Sequence, residues 1–327
     1  MNEFPWLTLL ILLPLVGGTV TALLPSAGGS VLPKQVAVGT AVLTFVLSLV
    51  IAFKYDAGDG MQFIELHDWI PAFGAHYALG VDGIGLTLVL LTTLLLPVVI
   101  LASWHEADDT SPSAFFGWML ALEGLALAVF MAQDVFLFYF VFEATLIPAY
   151  FLIGSFGHVD RAQRAKAAVK FLLYMLAGGL IMLASVVGLY AVSAHAGHPS
   201  YLIGDLASLE MDKETGRWLF LGFFIAFAIK APLFPVHTWL PDTTAAATPG
   251  TSVLLICVLD KIGTYGMLRF CLGLFPEASK WATPVVVVLA IISIIYGALL
   301  AIGQDNMLKL IGLTSLSHFG SSCWASS

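Results

Sequence analysis

Nine windows of about 20 mostly apolar residues follow one another along the chain, and their length is that of a helix crossing a bilayer. They lie at 5–24, 33–53, 83–102, 113–132, 134–156, 167–192, 217–239, 250–272 and 283–303, and a tenth begins near Met307. Hydrocarbon offers no water to bare backbone groups, so a helix, which closes its own hydrogen bonds, is the spanning form such windows demand. The expectation is an all-α polytopic membrane helix bundle of about ten transmembrane helices. With 59% hydrophobic and 10% charged residues and a mean hydropathy of +0.96, a soluble globule with a polar surface is excluded. The first window has no basic flank and no small-residue cleavage site ahead of a polar domain, so it is expected to stay as the first span.

Topology is read from Lys and Arg, because Asp and Glu contribute little to it. The net charge of −8 comes from acidic residues in loops, such as Glu106, Asp108 and Asp109, read as solvated faces. Arg161, Arg164, Lys166 and Lys170 crowd the loop expected between the fifth and sixth spans, which places that loop in the cytoplasm and the amino terminus outside. Lys34 and Lys309 fall on the same inner side, while Lys54, Lys213, Arg217 and Lys280 fall on the other. Of the longer outer segments, 54–82 mixes Phe63, Leu66, Trp69 and Tyr77 with Glu65 and Asp68, a composition suited to a hairpin or interfacial segment. The other, 193–216, holds His195 and His198 and reads as an ordinary polar loop in preference to a metal pair.

Cys257, Cys271 and Cys323 have neither metal-ligand nor disulfide-framework spacing. Neither a Gly-rich phosphate loop nor a dinucleotide fingerprint is present, so no cofactor and no metal is expected on this chain, and no nucleic acid is expected as a partner.

Against this apolar background, Glu143, Lys230, Lys261 and His318 each sit near the middle of a separate span. A charged residue at that depth costs roughly 2.5 to 3.5 kcal/mol, so a row of them calls for paired charges along a hydrated path. Counting along helices puts Glu123 and Glu143 in one layer about 14 to 15 Å from the turn at Gln133 and Asp134, and Lys230 roughly 20 Å beyond Arg217. Pro232 and Pro235 each lack an amide hydrogen, so the carbonyls of Ala228 and Ala231 are expected to lose their helical partners and the seventh span to break beside Lys230. Interrupted membrane helices mark ion sites, and the depth of Lys230 favours that reading over the bland alternative, which stays open, of a kink with a snorkelling side chain.

A carboxylate and an ammonium favour each other's charged forms, so a Glu143–Lys230 pair would make proton affinity depend on their separation. Changing that separation would let Lys230 pass a proton to Lys261 and on to His318. Other readings stay open: Glu123 as a packing group hydrogen-bonded to a neighbouring helix, His318 beside Ser315 and Ser317 as a satisfied core histidine, and His237 as either a step towards the inner side or an interfacial anchor. Asp260 adjoins Lys261, but consecutive helical residues point in different directions, and it receives no role.

The runs FVFEATLIPAYFLIG around Glu143, KAPLFPVHTWLPD from Lys230, LDKIGTYGMLRF around Lys261 and LIGLTSLSHFG around His318 closely resemble the antiporter-like membrane subunits of bacterial NADH-quinone oxidoreductase, respiratory complex I, subunit M above all. The likeness is collinear over residues 1–320. It implies a proton-translocating subunit in the bacterial plasma membrane, packed among other membrane-arm subunits, with FMN, iron–sulfur clusters, NADH and quinone on its partners. It also implies that Glu143 and Lys230 are the family's glutamate–lysine pair, Lys261 its central lysine and His318 its relay histidine. The implied fold is a pair of inverted five-helix repeats. Residues 1–112 then form an amino-terminal three-helix segment with an outer hairpin, 113–272 a complete first repeat, and 273–327 the start of a second. That second repeat stops in FGSSCWASS, unlike the family's continuation, so a fragment or frameshifted product is expected. TTAAATPG at 243–250 lacks charges usual there, and Gly312–Leu313 replaces a usual Ala-Tyr. A sodium/proton antiporter subunit and a non-transporting structural remnant are the alternative functions.

Overall fold

The computed structural model describes residues 4–26 and 30–326. Helices α1 (Trp6–Leu23) and α2 (Val31–Lys54) lead into an antiparallel hairpin of β1 (Gln62–Ile70) and β2 (Ala75–Val81), then α3 (Gly83–Ala102) and α4 (Pro112–Met131). Next come α5 (Val135–Ala144), α6 (Leu146–Phe156), α7 (Arg161–His195), the short α8 (Ile203–Ala207), α9 (Lys213–Lys230), α10 (Trp239–Ala246) and α11 (Pro249–Leu254). A π-helical stretch, Leu255–Leu259, joins α11 to α12 (Asp260–Gly266), and a second, Met267–Leu272, follows it. Helices α13 (Pro276–Ile302) and α14 (Met307–Ser326) come last and pack against each other.

Helix therefore occupies every apolar window, and among the described residues eight segments are long and apolar enough to cross a membrane by themselves. Helix α9 is not one of the eight: it carries Lys213, Glu214, Arg217 and Lys230 within 18 residues. Two windows depart from expectation. The basic residues Arg161, Arg164, Lys166 and Lys170 lie in the first turns of the 35-residue α7, not in a loop. Asp160 starts that helix early by accepting the amides of Ala162 and Gln163 at 2.9 and 3.0 Å, and Arg and Lys are good helix formers. The window at 134–156 is kinked between α5 and α6 at Thr145, whose backbone stays right-handed helical with φ −59° and ψ −21°. Pro148 is the cause, since it has no amide hydrogen for the carbonyl of Ala144.

The hairpin covers one end of the bundle and is bolted to it by polar contacts. Glu65 accepts the amides of Leu7 and Thr8 at 2.7 and 3.1 Å, capping α1 from outside. Arg269 donates to Asp82, the N-cap of α3, and to Gln133 at the α4–α5 turn, both at 2.8 Å. Beneath it the rings of Phe138, Phe223, Phe227 and Phe270 fill the core between α5, α9 and the second π stretch, with Phe138 and Phe270 centroids 4.4 Å apart.

At the opposite end, Lys34 pairs with Asp108, which also takes His105 Nδ1 at 2.7 Å. The Lys34 ammonium first, and His105 second, hold the Asp108 carboxyl below the usual carboxylate range. Such a pair contributes above the unfolded value of 3.8 and is lost as pH falls through the lowered folded value. Asp108→Asn is thus expected to lower the thermal midpoint of the detergent-solubilised protein at neutral pH, with the gap narrowing below about pH 4. A gap of constant size across that range would remove the ion pair as its cause.

Candidate functional site

Helix α9 ends at Lys230, and Ala231 leaves the helix with φ −95° and ψ 104°. The proline pair breaks the span as expected, but the carbonyls fare differently: Ala228 O accepts from Leu233 N at 2.9 Å, and Ile229 O from the Trp239 indole at 2.9 Å. A fully irregular stretch would strand those groups in hydrocarbon, so the turn that follows and the first residue of α10 recapture them. Phe234 N is met by Ser293 Oγ of α13 at 2.9 Å, and Lys170 Nζ of α7 reaches Thr238 O at 2.8 Å. The break is held from both sides.

Lys230 is only 1% exposed. Its Nζ donates to Thr145 Oγ1 at 2.9 Å, approaches the carbonyl of Phe142 at 3.5 Å, and lies 4.3 Å from the centroid of the Phe142 ring. The ammonium therefore sits at the carboxyl-terminal end of α5, where the partial negative charge of the helix dipole and a ring face both favour a cation. The break after α9 and the kink at Thr145 meet at one amine.

Glu143 lies beside this point, and its charge acts on Lys230, yet no ion pair joins the two among the described residues. Its carboxyl instead packs against Gly179 of α7, where a Cβ would collide with both oxygens, and Oε1 has no hydrogen-bond partner. On that side it borders an apolar groove with Tyr139, Phe140, Ile147, Tyr150 and Leu176. Gly179 leaves the room that the Glu143 carboxyl occupies.

The remaining candidates are spread out. Glu123 is 2% exposed within α4, and neither oxygen has a partner, so the hydrogen bond to a neighbouring helix is not made. Lys261 is half-buried with no hydrogen bond or ion pair among the described residues. His318 is on the exposed side of α14. His237 is 4% exposed and packs between Phe234, with centroids 5.8 Å apart, and Tyr296, at 5.3 Å. It is enclosed by rings, not anchored at an interface.

Two residues were missed from sequence. Thr145 supplies the hydroxyl that holds Lys230, and Pro148 three residues later was the available signal. Asp260 is 2% exposed, accepts the Ser315 hydroxyl of α14 at 3.2 Å, and lies where the charge of Lys230 acts on it. Among the described residues no cluster of His, Cys, Asp and Glu could hold a metal ion.

A polytopic bundle in which a broken helix and a kinked one meet at a buried lysine has the architecture of the antiporter-like membrane subunits. The chain belongs to the family described as NADH:quinone oxidoreductase/Mrp antiporter, which matches residues 132–326. Subunit M of the NADH-quinone oxidoreductase of Mycobacterium tuberculosis is 47% identical across 98% of this chain and 64% of its own length. Subunit M of Rhodobacter capsulatus is 40% identical across 88% of this chain and 56% of its own length. The chain thus spans less than two thirds of these relatives. A subunit in the structure of respiratory complex I from Thermus thermophilus with bound NADH superposes with a TM-score of 0.85 at 33% identity, covering 98% of this chain and 64% of that one. The Mrp complex from Dietzia sp. shares the fold, with a TM-score of 0.82 at 21% identity over 98% of this chain and 34% of that one.

Proposed function

We propose that this chain is a proton-translocating membrane subunit of a bacterial NADH-quinone oxidoreductase of the complex I type, working in the plasma membrane beside other membrane-arm subunits. The observation that carries the reading is Lys230, an amine buried where the broken α9 meets the kink at Thr145 and held by a hydroxyl and a carbonyl instead of a carboxylate. Neutral acceptors bind an ammonium less tightly than a paired carboxylate does, so a modest change in the nearby charge of Glu143 shifts where the proton rests. Glu143 borders the groove on the α7 side, a position from which a neighbouring subunit can act on it. The redox groups, FMN and iron–sulfur clusters among them, belong to partner subunits in this reading, as do the sites for NADH and quinone. Residues 113–272 act as one five-helix repeat, with Lys261 and His318 as onward stations and Glu123 and His237 as flanking groups. The 47% identity to a subunit M favours this over a stand-alone sodium/proton antiporter.

The test uses an assembled full-length complex carrying Lys230→Ala or Glu143→Gln, reconstituted in vesicles. Proton pumping and coupled quinone reduction are expected to fall on the order of 10²-fold for Lys230→Ala, the scale on which a positioned proton-transfer group acts. Glu143→Gln is expected to fall less, because it modulates a charge that remains. NADH oxidation by an artificial acceptor should stay near wild type. Unchanged pumping stoichiometry in both variants would refute the assignment.

A further inference from the structure

Asp260 belongs to no recognised role, yet the fold places it between the broken helix and α14. It lies three residues before Gly263, on the same side of α12. Gly263 is in contact with the break itself: a Cβ there would stand 2.5 Å from Ala231 Cβ and 2.7 Å from Ala231 N. The face of α12 that carries Asp260 is therefore the face pressed against the residue following Lys230. One carboxylate oxygen, Oδ2, takes the Ser315 hydroxyl at 3.2 Å, while Oδ1 is buried with no partner. Lys230 and Lys261 both act on Asp260 through their charges. Ser315 stands three residues before His318, so the same hydrogen bond leads to the strip of α14 on which that histidine lies.

A carboxyl with an orphaned oxygen at this depth is costly, and packing alone gives no reason to keep it. The orphaned oxygen is an open acceptor on a carboxyl that both lysine charges act on. We propose that Asp260 is the proton carrier between Lys230 and the α14 side of the bundle, so that the route leaves Lys230 through a carboxylate and does not pass directly to Lys261. In the transfer an N–H bond of the Lys230 ammonium breaks and an O–H bond forms on Oδ1, with water relaying the proton between two groups that form no ion pair among the described residues. The +1 and −1 charges become a neutral amine and a neutral carboxylic acid. The acid then yields the proton to Lys261 or His318 and returns to carboxylate. The inference rests on the proton-translocating reading above.

The experiment compares Asp260→Asn, Asp260→Glu and Lys230→Ala in the assembled full-length complex in vesicles. Asp260→Asn keeps the shape and the Ser315 contact but cannot carry a proton, and its pumping is expected to fall on the order of 10²-fold with artificial-acceptor NADH oxidation retained. Asp260→Glu should restore most of the loss, which a purely structural role would not predict for a longer side chain in a closed site. Pumping by Asp260→Asn within about twofold of wild type, with Lys230→Ala inactive, would overturn the Asp260 inference alone; normal pumping by Lys230→Ala would overturn the underlying reading. Should Asp260→Asn not assemble, redox-triggered infrared difference spectra of wild type and Ser315→Ala decide. A protonated-carboxyl band that appears on turnover and moves when the Ser315 hydroxyl is removed supports the carrier; no band sensitive to Ser315 overturns it.

Discussion

Replacing Asp134 by alanine is expected to cost about 3 to 6 kcal/mol and to leave little assembled protein, because one buried and two part-buried backbone donors lose their acceptor at roughly 1 to 2 kcal/mol each. Asp134 is fully buried at the α4–α5 turn. Its Oδ1 takes the amides of Phe136 and Leu137 at 2.8 and 2.9 Å, and its Oδ2 takes the amide of His76 at 2.9 Å. One carboxylate thus starts α5 and fastens β2 to it. Burial pushes the Asp134 carboxyl up, while these three donors and the nearby His76 oppose the shift. Asp134→Asn retains an oxygen for Phe136 and Leu137 but turns an amide towards His76, and should fall between wild type and Ala. The measurement is the thermal midpoint and yield of the detergent-solubilised protein. A midpoint for Asp134→Ala equal to that of wild type would show that the hairpin and α5 are held by other contacts.

How much of this fold was legible depends on which physical rule each feature obeys. Apolar length alone located the helices, since spanning segments need about 20 residues and the chain supplies little else. Segment 54–82 was recognisable as a hairpin candidate from its aromatic and polar mixture, but its anchor, Glu65 on the first amides of α1, joins residues nearly sixty positions apart and leaves no local trace. Pro232 announced the break in α9 through its missing donor. Pro148 announces the kink at Thr145 by the same rule, and the Thr145 hydroxyl at that kink accepts from Lys230.

The site was legible in depth and not in azimuth. Counting at about 1.5 Å per residue puts Glu123 and Glu143 into one layer and Lys230 and Lys261 near the middle of their spans, but whether two groups at similar depth touch depends on helix rotation. Glu143 is turned against Gly179, so the expected glutamate–lysine pair is a neighbourhood without an ion pair. Asp260 escaped for a related reason. It follows a π-helical stretch, Leu255–Leu259, whose wider turn shifts the angular phase of everything after it, and nothing in those residues signals that turn.

Gly263→Ala gives the sharpest reading of that geometry, because its expected sign is opposite to the usual one. In an open helix, Gly to Ala stabilises by about 0.4 to 1 kcal/mol through the unfolded chain. At Gly263 the added Cβ meets Ala231 N at 2.7 Å and Phe227 O at 3.0 Å, backbone atoms of α9 and its break that cannot swing aside. Overpacking of this kind costs about 1 to 3 kcal/mol, enough to reverse the gain, and Gly263→Leu should prevent assembly. Gly39 on α2, where an added Cβ would meet no atom within 4 Å, is the matched control, and Gly39→Ala should hold or raise the thermal midpoint. Because the collision is with the residue next to Lys230, relief by movement of α9 draws the ammonium away from Thr145. Pumping per assembled complex should therefore fall in Gly263→Ala even where enough protein survives to measure it. Equal midpoints and equal pumping for the two alanine variants would show that α12 does not press on the break, and the link from Asp260 to Lys230 would go with it.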